Sequence, residues 1–271
     1  MHSFLHEKTI IQSNRESKSN HRHRHMTTKF SPDYSHAIDQ LATSQLANQD
    51  YATLLEQSKS IALALAVPQS LQETVFQLLA KLHRHDQKTA KECLQALPLA
   101  LKVAQIYSQF YSQPVNLSYV WSAAILHDIG KTHIPQSLIA KSNRGLEWTN
   151  SDREQMMHHV QAGYAIARAH HLPTPVCRAI AEHHHKQLGV SYGMDPQLND
   201  IERIIRDSIA IADFTDADLN RTNCRNATKN RQQRLAEIID DIIFVFNDYT
   251  YGNLLAQLTF QQLAQPAYAI R

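Results

Sequence analysis

Apolar residues recur at three- and four-residue steps over two stretches: Ile201, Ile204, Ile205, Ile209 and Ala212, then Leu235, Ile238, Ile239 and Ile242. That spacing keeps each set on one side of a 3.6-residue turn and predicts two amphipathic helices, each with one buried face. From Ser35 to about Ala80 a looser version runs through Leu41, Leu46, Tyr51, Leu54 and Leu55 into Ile-Ala-Leu-Ala-Leu-Ala at 61–66. It predicts helices broken at Pro68, because proline brings no amide hydrogen to a helix interior. The run from Val120 to Leu126 is apolar on nearly every face, as expected of a helix buried all round. A second helical block is expected from about residue 70 to the C-terminus, with loops near 113–117, 142–150 and 187–196. Only six glycines occur, few for the tight turns of a strand-rich fold. The pattern therefore predicts an all-α protein without internal repeats.

Composition removes several classes of function. The 271 residues are 43% hydrophobic, enough for a real core, and 27 basic against 25 acidic residues leave a net charge of +2. No whole-molecule field points to DNA or an anionic membrane. No apolar run approaches the roughly 18 residues of a spanning helix, and the N-terminus has no apolar signal core. Cys93, Cys177 and Cys224 are an odd number without Cys-x-x-Cys spacing, so neither a disulfide scaffold nor a zinc ribbon is expected. A cytoplasmic location follows from these features.

Charge and periodicity also divide the chain. Within residues 1–30, six basic residues stand against Glu7 and Glu16, giving +4 and leaving −2 for the remainder. Residues 1–34 are polar and aperiodic, with His-Arg-His-Arg-His at 21–25, and are expected to be a disordered His-rich basic tail. The histidines could scavenge metal, or the tail could be an extension ahead of a start at Met26 rather than Met1. Residues 35–80 form a short helical region, too short for a receiver domain and without its strand–helix alternation. A sensor, a dimerisation element making a homodimer, or a cap on the rest would each suit it. Residues 81–271 form the main helical domain.

The chemistry gathers between residues 120 and 216. His127 follows Ala124, Ala123 and Val120 by three, four and seven residues and so shares their buried side, with Asp128 next to it. A buried His-Asp pair needs partners, since unpaired charge in a core is costly. A carboxylate bridging two cations flanked by imidazoles is one arrangement that would satisfy both residues. Three further histidine groups follow: His158-His159, His170-His171 and His183-His184-His185. His183 and His184 continue the apolar rows of Val176, Ala179 and Ile180 and could look inward. His185 and His158 are expected in solvent, and His170-His171, beside prolines, at an exposed helix end. Asp213 ends an apolar run and is either buried and paired or exposed.

The order of these residues resembles the HD superfamily of metal-dependent phosphohydrolases, and within it the HD-GYP cyclic-di-GMP phosphodiesterases. The segment from Leu126 to Pro135 is similar to the family's His-Asp-Ile-Gly-Lys-x-x-Ile-Pro motif, and Met156 to Gly163 to its Met-x-x-His-x-x-x-Gly helix. Residues 179–192 run in step with the His-His segment and the loop behind it, and 211–217 with Ala-Asp-x-x-Asp-Ala. The resemblance spans roughly 86–260. It implies an HD-type helical bundle in which His127, Asp128, His159, His183, His184 and Asp213 ligate two divalent transition metals, iron or manganese, with Asp128 bridging. It implies a phosphate contact for Lys131 and substrate contacts for Tyr192, Arg221 and Arg225, the arginines being solvated residues on the alternative reading.

Two departures bear on function. Where the family has a first histidine in Asp-x-x-Thr-Ala-x-His, residues 86–92 end in Glu92, which either ligates metal as a carboxylate or is an exposed helix residue. Counting back from His127-Asp128 without a gap places Gln95 or Leu99 there instead. The loop reads Gly189-Val190-Ser191-Tyr192-Gly193 in place of Gly-x-Gly-Tyr-Pro, and losing a glycine and a proline changes its shape. The function these features imply is hydrolysis of a cyclic dinucleotide, cyclic-di-GMP, by a hydroxide bridging two metals. The alternatives are a catalytically degenerate signalling domain that binds a protein partner, and a phosphohydrolase for another nucleotide.

Overall fold

The computed structural model describes residues 49–185 and 198–220, with the side chains of 109–111 and 218–220 outside that description. Eight α-helices occur among the described residues: α1 (Tyr51–Ala64), α2 (Gln69–His85), α3 (Gln87–Tyr111), α4 (Leu117–Leu126), α5 (Gln136–Asn143), α6 (Asn150–Ala169), α7 (Thr174–Glu182) and α8 (Asp200–Asn220). A 3-10 turn at Ile129–His133 joins α4 to α5. No strand occurs among these residues, so the fold is all-α as the hydrophobic periods predict.

Local sequence explains where the helices begin. Asp50 accepts the Thr53 amide at the head of α1, and Asn116 accepts the Ser118 amide at the head of α4. Thr149 and Asp152 form a reciprocal capping box at the head of α6. Pro68 separates α1 from α2 and stands at the N-cap of α2, where its missing amide hydrogen costs nothing. The predicted loops near 113–117 and 142–150 fall between α3 and α4 and between α5 and α6. The tail at 1–34, the loop near 187–196 and the Leu235–Ile242 stretch lie outside the described residues.

One contiguous apolar core joins Leu54 and Ile61 of α1, Leu79 and Leu82 of α2, Leu97 and Leu101 of α3, Ile125 of α4 and Ile205 and Ile209 of α8. Helix α3 is its axis and packs most extensively on α8 and α4. Trp121 of α4 is fully buried, meets Phe76 edge-on at 5.4 Å and donates its indole N–H to the Ser58 carbonyl at 3.1 Å. The described part of the N-terminal helical region thus shares its core with the later helices. No helix among the described residues is long and apolar enough to cross a membrane.

Candidate metal centre

Helix α4 is buried along most of its length and ends at Leu126, so His127 and Asp128 emerge inside the protein. His127 keeps helical angles (φ −54°, ψ −36°), and Asp128 turns away (φ −99°, ψ 10°) into the 3-10 segment. That turn returns Lys131 to Asp128, with Nζ 2.5 Å from Oδ2. Helix α6 is brought against the turn by two glycines. A Cβ on Gly130 would overlap the His159 carbonyl oxygen and the Gly163 amide nitrogen, so only a residue without one allows this approach.

Five elements deliver donors to one place. His159 of α6 puts Nε2 3.3 Å from Asp128 Oδ1. His183, just beyond α7, has Nε2 3.9 Å from the same oxygen and 3.4 Å from His159 Nε2. Asp213 of α8 reaches both ways, with Oδ1 3.6 Å from His127 Nε2 and Oδ2 3.9 Å from His184 Nδ1. Asp128, His159, His183 and His184 each offer a ligand atom within 4.8 Å of the others, and so do Cys93, His127 and Asp128. Asp128 belongs to both groups.

The protonation pattern shows what these groups need. Nδ1 of His127, His159 and His183 lies 2.8, 2.6 and 2.8 Å from the carbonyl oxygens of Ala124, Met156 and Ile180. A carbonyl can only accept, so each Nδ1 carries the proton, and in the neutral His159 and His183 rings Nε2 keeps its lone pair. Those lone pairs face a carboxylate and one another in a buried space. Asp128 Oδ1 and His127 Nε2 have no hydrogen-bond partner. Acceptors left facing acceptors cost several kcal/mol, by order of magnitude, unless positive charge lies among them. The residues present therefore fit a bound divalent metal.

The electrostatics agree. Burial opposes charge on both carboxylates, yet Lys131 and the surrounding histidines hold Asp128 well below the usual carboxylate range. His127, 3.6 Å away, and the charge of His184 do the same for Asp213. Burial and the neighbouring His127 and His159 push the His183 imidazole down to about 3. Burial, His183 and His159 depress His184 as well. These two rings are neutral at pH 7, the state in which imidazole ligates. Burial also works against charge on His127, but Cys93 and the carboxylates of Asp128 and Asp213, each 3.6 Å from Nε2, hold it well above its ordinary value.

The structure thus gathers His127, Asp128, Lys131, His159, His183, His184 and Asp213. Glu92 lines a cleft with Lys131, Asn143 and Met156; its side chain is 20% exposed and 3.7 Å from Lys88. Tyr192, Arg221 and Arg225 lie outside the described residues. His158 is exposed as expected, as are His170 and His171 at the end of α6. His185 is not in solvent: its side chain is 11% exposed, with Nε2 3.2 Å from Asp207 Oδ1, because α8 packs a carboxylate over it. Sequence reasoning also missed Cys93 as a neighbour of His127. The signal was its helix phase, four residues from Thr89 and from Leu97, which are both buried.

A family model described as HD domain matches residues 73–218. No protein of curated function matches the chain. Among solved structures, the chain is similar to the HD domain of the phosphodiesterase PgpH from L. monocytogenes, with 18% identity, 70% of this chain and 98% of that chain covered, and a TM-score of 0.49. The same domain in complex with cyclic-di-AMP gives 19% identity, 72% and 97% coverage, and a TM-score of 0.49.

Proposed function

The chain belongs to the HD domain family, and on that premise we propose that it is a metal-dependent phosphodiesterase acting on a cyclic dinucleotide, with cyclic-di-GMP the substrate to test first. The observation that carries this reading is the buried ring of acceptors around Asp128, whose unpartnered oxygen and neighbouring imidazole lone pairs call for cations. Asp128, His159, His183 and His184 would hold one divalent ion. His127, Asp128 and Asp213 would hold the second, with iron or manganese the proposed metals. Such ions, when bound, neutralise phosphate charge and activate water.

The chain's own groups supply the rest. The three carbonyls that accept from Nδ1 fix the tautomer and orientation of His127, His159 and His183. Lys131, 14% exposed at its side chain, sits between Asp128 and the cleft, where its ammonium can stabilise charge developing on a phosphoryl oxygen. Glu92 stands on the wall of that cleft with Lys131. Tyr192, Arg221 and Arg225 are proposed substrate contacts on the strength of the loop and segment resemblance alone.

The test is turnover of cyclic-di-GMP by protein prepared without oxygen and supplied with Mn²⁺ or Fe²⁺, with Asp128→Asn as the control and products resolved by chromatography. Hydrolysis that disappears in the control is the expected result. Metal-loaded protein that leaves cyclic-di-GMP intact overturns that substrate. A panel of cyclic-di-AMP and mononucleotides then separates another nucleotide substrate from a signalling domain without turnover.

A further inference from the structure

The α3 helix brings Cys93 to the His127 side of Asp128. Cys93 is fully buried and carries a free thiol. Its sulfur, a His127 nitrogen and an Asp128 oxygen lie within 4.8 Å of one another, and Asp213 closes the opposite flank 3.6 Å from His127 Nε2. Independently of the thiol, this pocket holds a deeply buried polar atom without a hydrogen-bond partner, His127 Nε2. Such an atom marks a place where a ligand is missing from the bonding pattern.

Helix phase decides which α3 residue serves that place. Adjacent helical residues point about 100° apart. Cys93 shares the inward side with Ala96, Leu97 and Ala100, all at 3% exposure or less. Glu92, one position earlier, is turned to the cleft and toward Lys88. On the reading that the centre holds metal, we propose that Cys93 is a thiolate ligand of the metal position on the His127 side. The S–H proton leaves to solvent as the sulfur–metal bond forms, since the thiolate is the ligating species.

The consequence is an unequal pair of positions. Around Asp128, one side offers sulfur, nitrogen and oxygen, and the other three imidazoles and oxygen. Soft thiolate favours zinc or ferrous iron over manganese, whereas the imidazole-rich side has no such bias. The first position would then hold a different metal, or hold it with different strength, under conditions that fill both.

Cobalt(II) added anaerobically to metal-free protein reads this out without any substrate. The expected result is a thiolate-to-cobalt charge-transfer band in the near ultraviolet. It should persist in the Cys177→Ala/Cys224→Ala double variant and in Glu92→Gln, and vanish in Cys93→Ser together with about one bound equivalent. If Cys93→Ser does not fold, the double variant, whose remaining thiol is Cys93, decides: a retained band supports the assignment and a lost band overturns it. Cobalt bound by the wild type without the band overturns Cys93 as ligand and leaves the metal centre standing. No cobalt bound by the wild type overturns both.

Discussion

The two sides of Asp128 share one carboxylate and the same depth of burial but are built from different donors. On one side His159, His183 and His184 converge, with His183 and His184 depressed into the neutral state by burial and by neighbouring imidazoles. On the other, His127 stands between Cys93 and two carboxylates that favour its charged form. The imidazole-rich side adds only neutral donors to the shared carboxylate, ready for a cation. The His127 side already concentrates negative charge, so a proton occupies it when a metal does not. One buried aspartate can thus serve two sites of opposite temperament, and the protein distinguishes them by what surrounds it.

Asp128→Asn should erase the difference altogether. An amide lacks the charge that both sides share, so metal analysis of anaerobically purified protein should find both equivalents lost and turnover abolished. Single ligand variants should then split the sides. His184→Ala is expected to remove one equivalent and leave the His127 side filled, and His127→Ala the reverse; identical metal loss in both would mean that the sides are not independent.

Gly130→Ala should disturb both sides equally by pushing α6 from the 3-10 turn. A cost of about 1–3 kcal/mol is expected from overpacking, read as a lower midpoint in urea. In metal-free protein, acid and alkali should act on opposite sides. The unfolded chain protonates His183 near 6.5 whereas the folded chain resists to about 3, so stability present above 6.5 is lost as pH falls through that interval. His127 is raised, so its contribution is complete below 6.5 and is lost as pH rises through its folded value. Urea midpoints should show a flatter acid limb in His183→Gln and a flatter alkaline limb in His127→Gln. The smallest effect should come from Thr149→Ala, which removes the cap of α6 at about 1 kcal/mol and leaves the metal content of both sides unchanged.

Much of the frame was legible because its signals are local. The all-round apolar run ahead of His127 is α4, and Pro68 divides α1 from α2 where its missing amide hydrogen dictates. His159, His183 and His184 could be read as inward from spacing and motif order, and the structure does bury them. Cys93 and His185 show the limit. Counting along a motif locates a residue in the sequence but not its angle around the helix, and neighbours such as Glu92 and Cys93 point about 100° apart. His185 continues no apolar row, yet Asp207 arrives from a helix more than twenty residues away and draws it in.

Helical periods, with their starts and breaks, are written locally in the chain, because each depends on residues within a turn or two of one another. Which donors meet is a matter of packing between distant helices. Donors from α3, the end of α4, α6, the end of α7 and α8 converge where Gly130 and Gly163 let backbones touch, and no short-range pattern encodes that approach. The convergence makes Cys93 a neighbour of His127 and turns Glu92 toward the cleft, since a side chain's surroundings in a packed helix are set by the helices beside it.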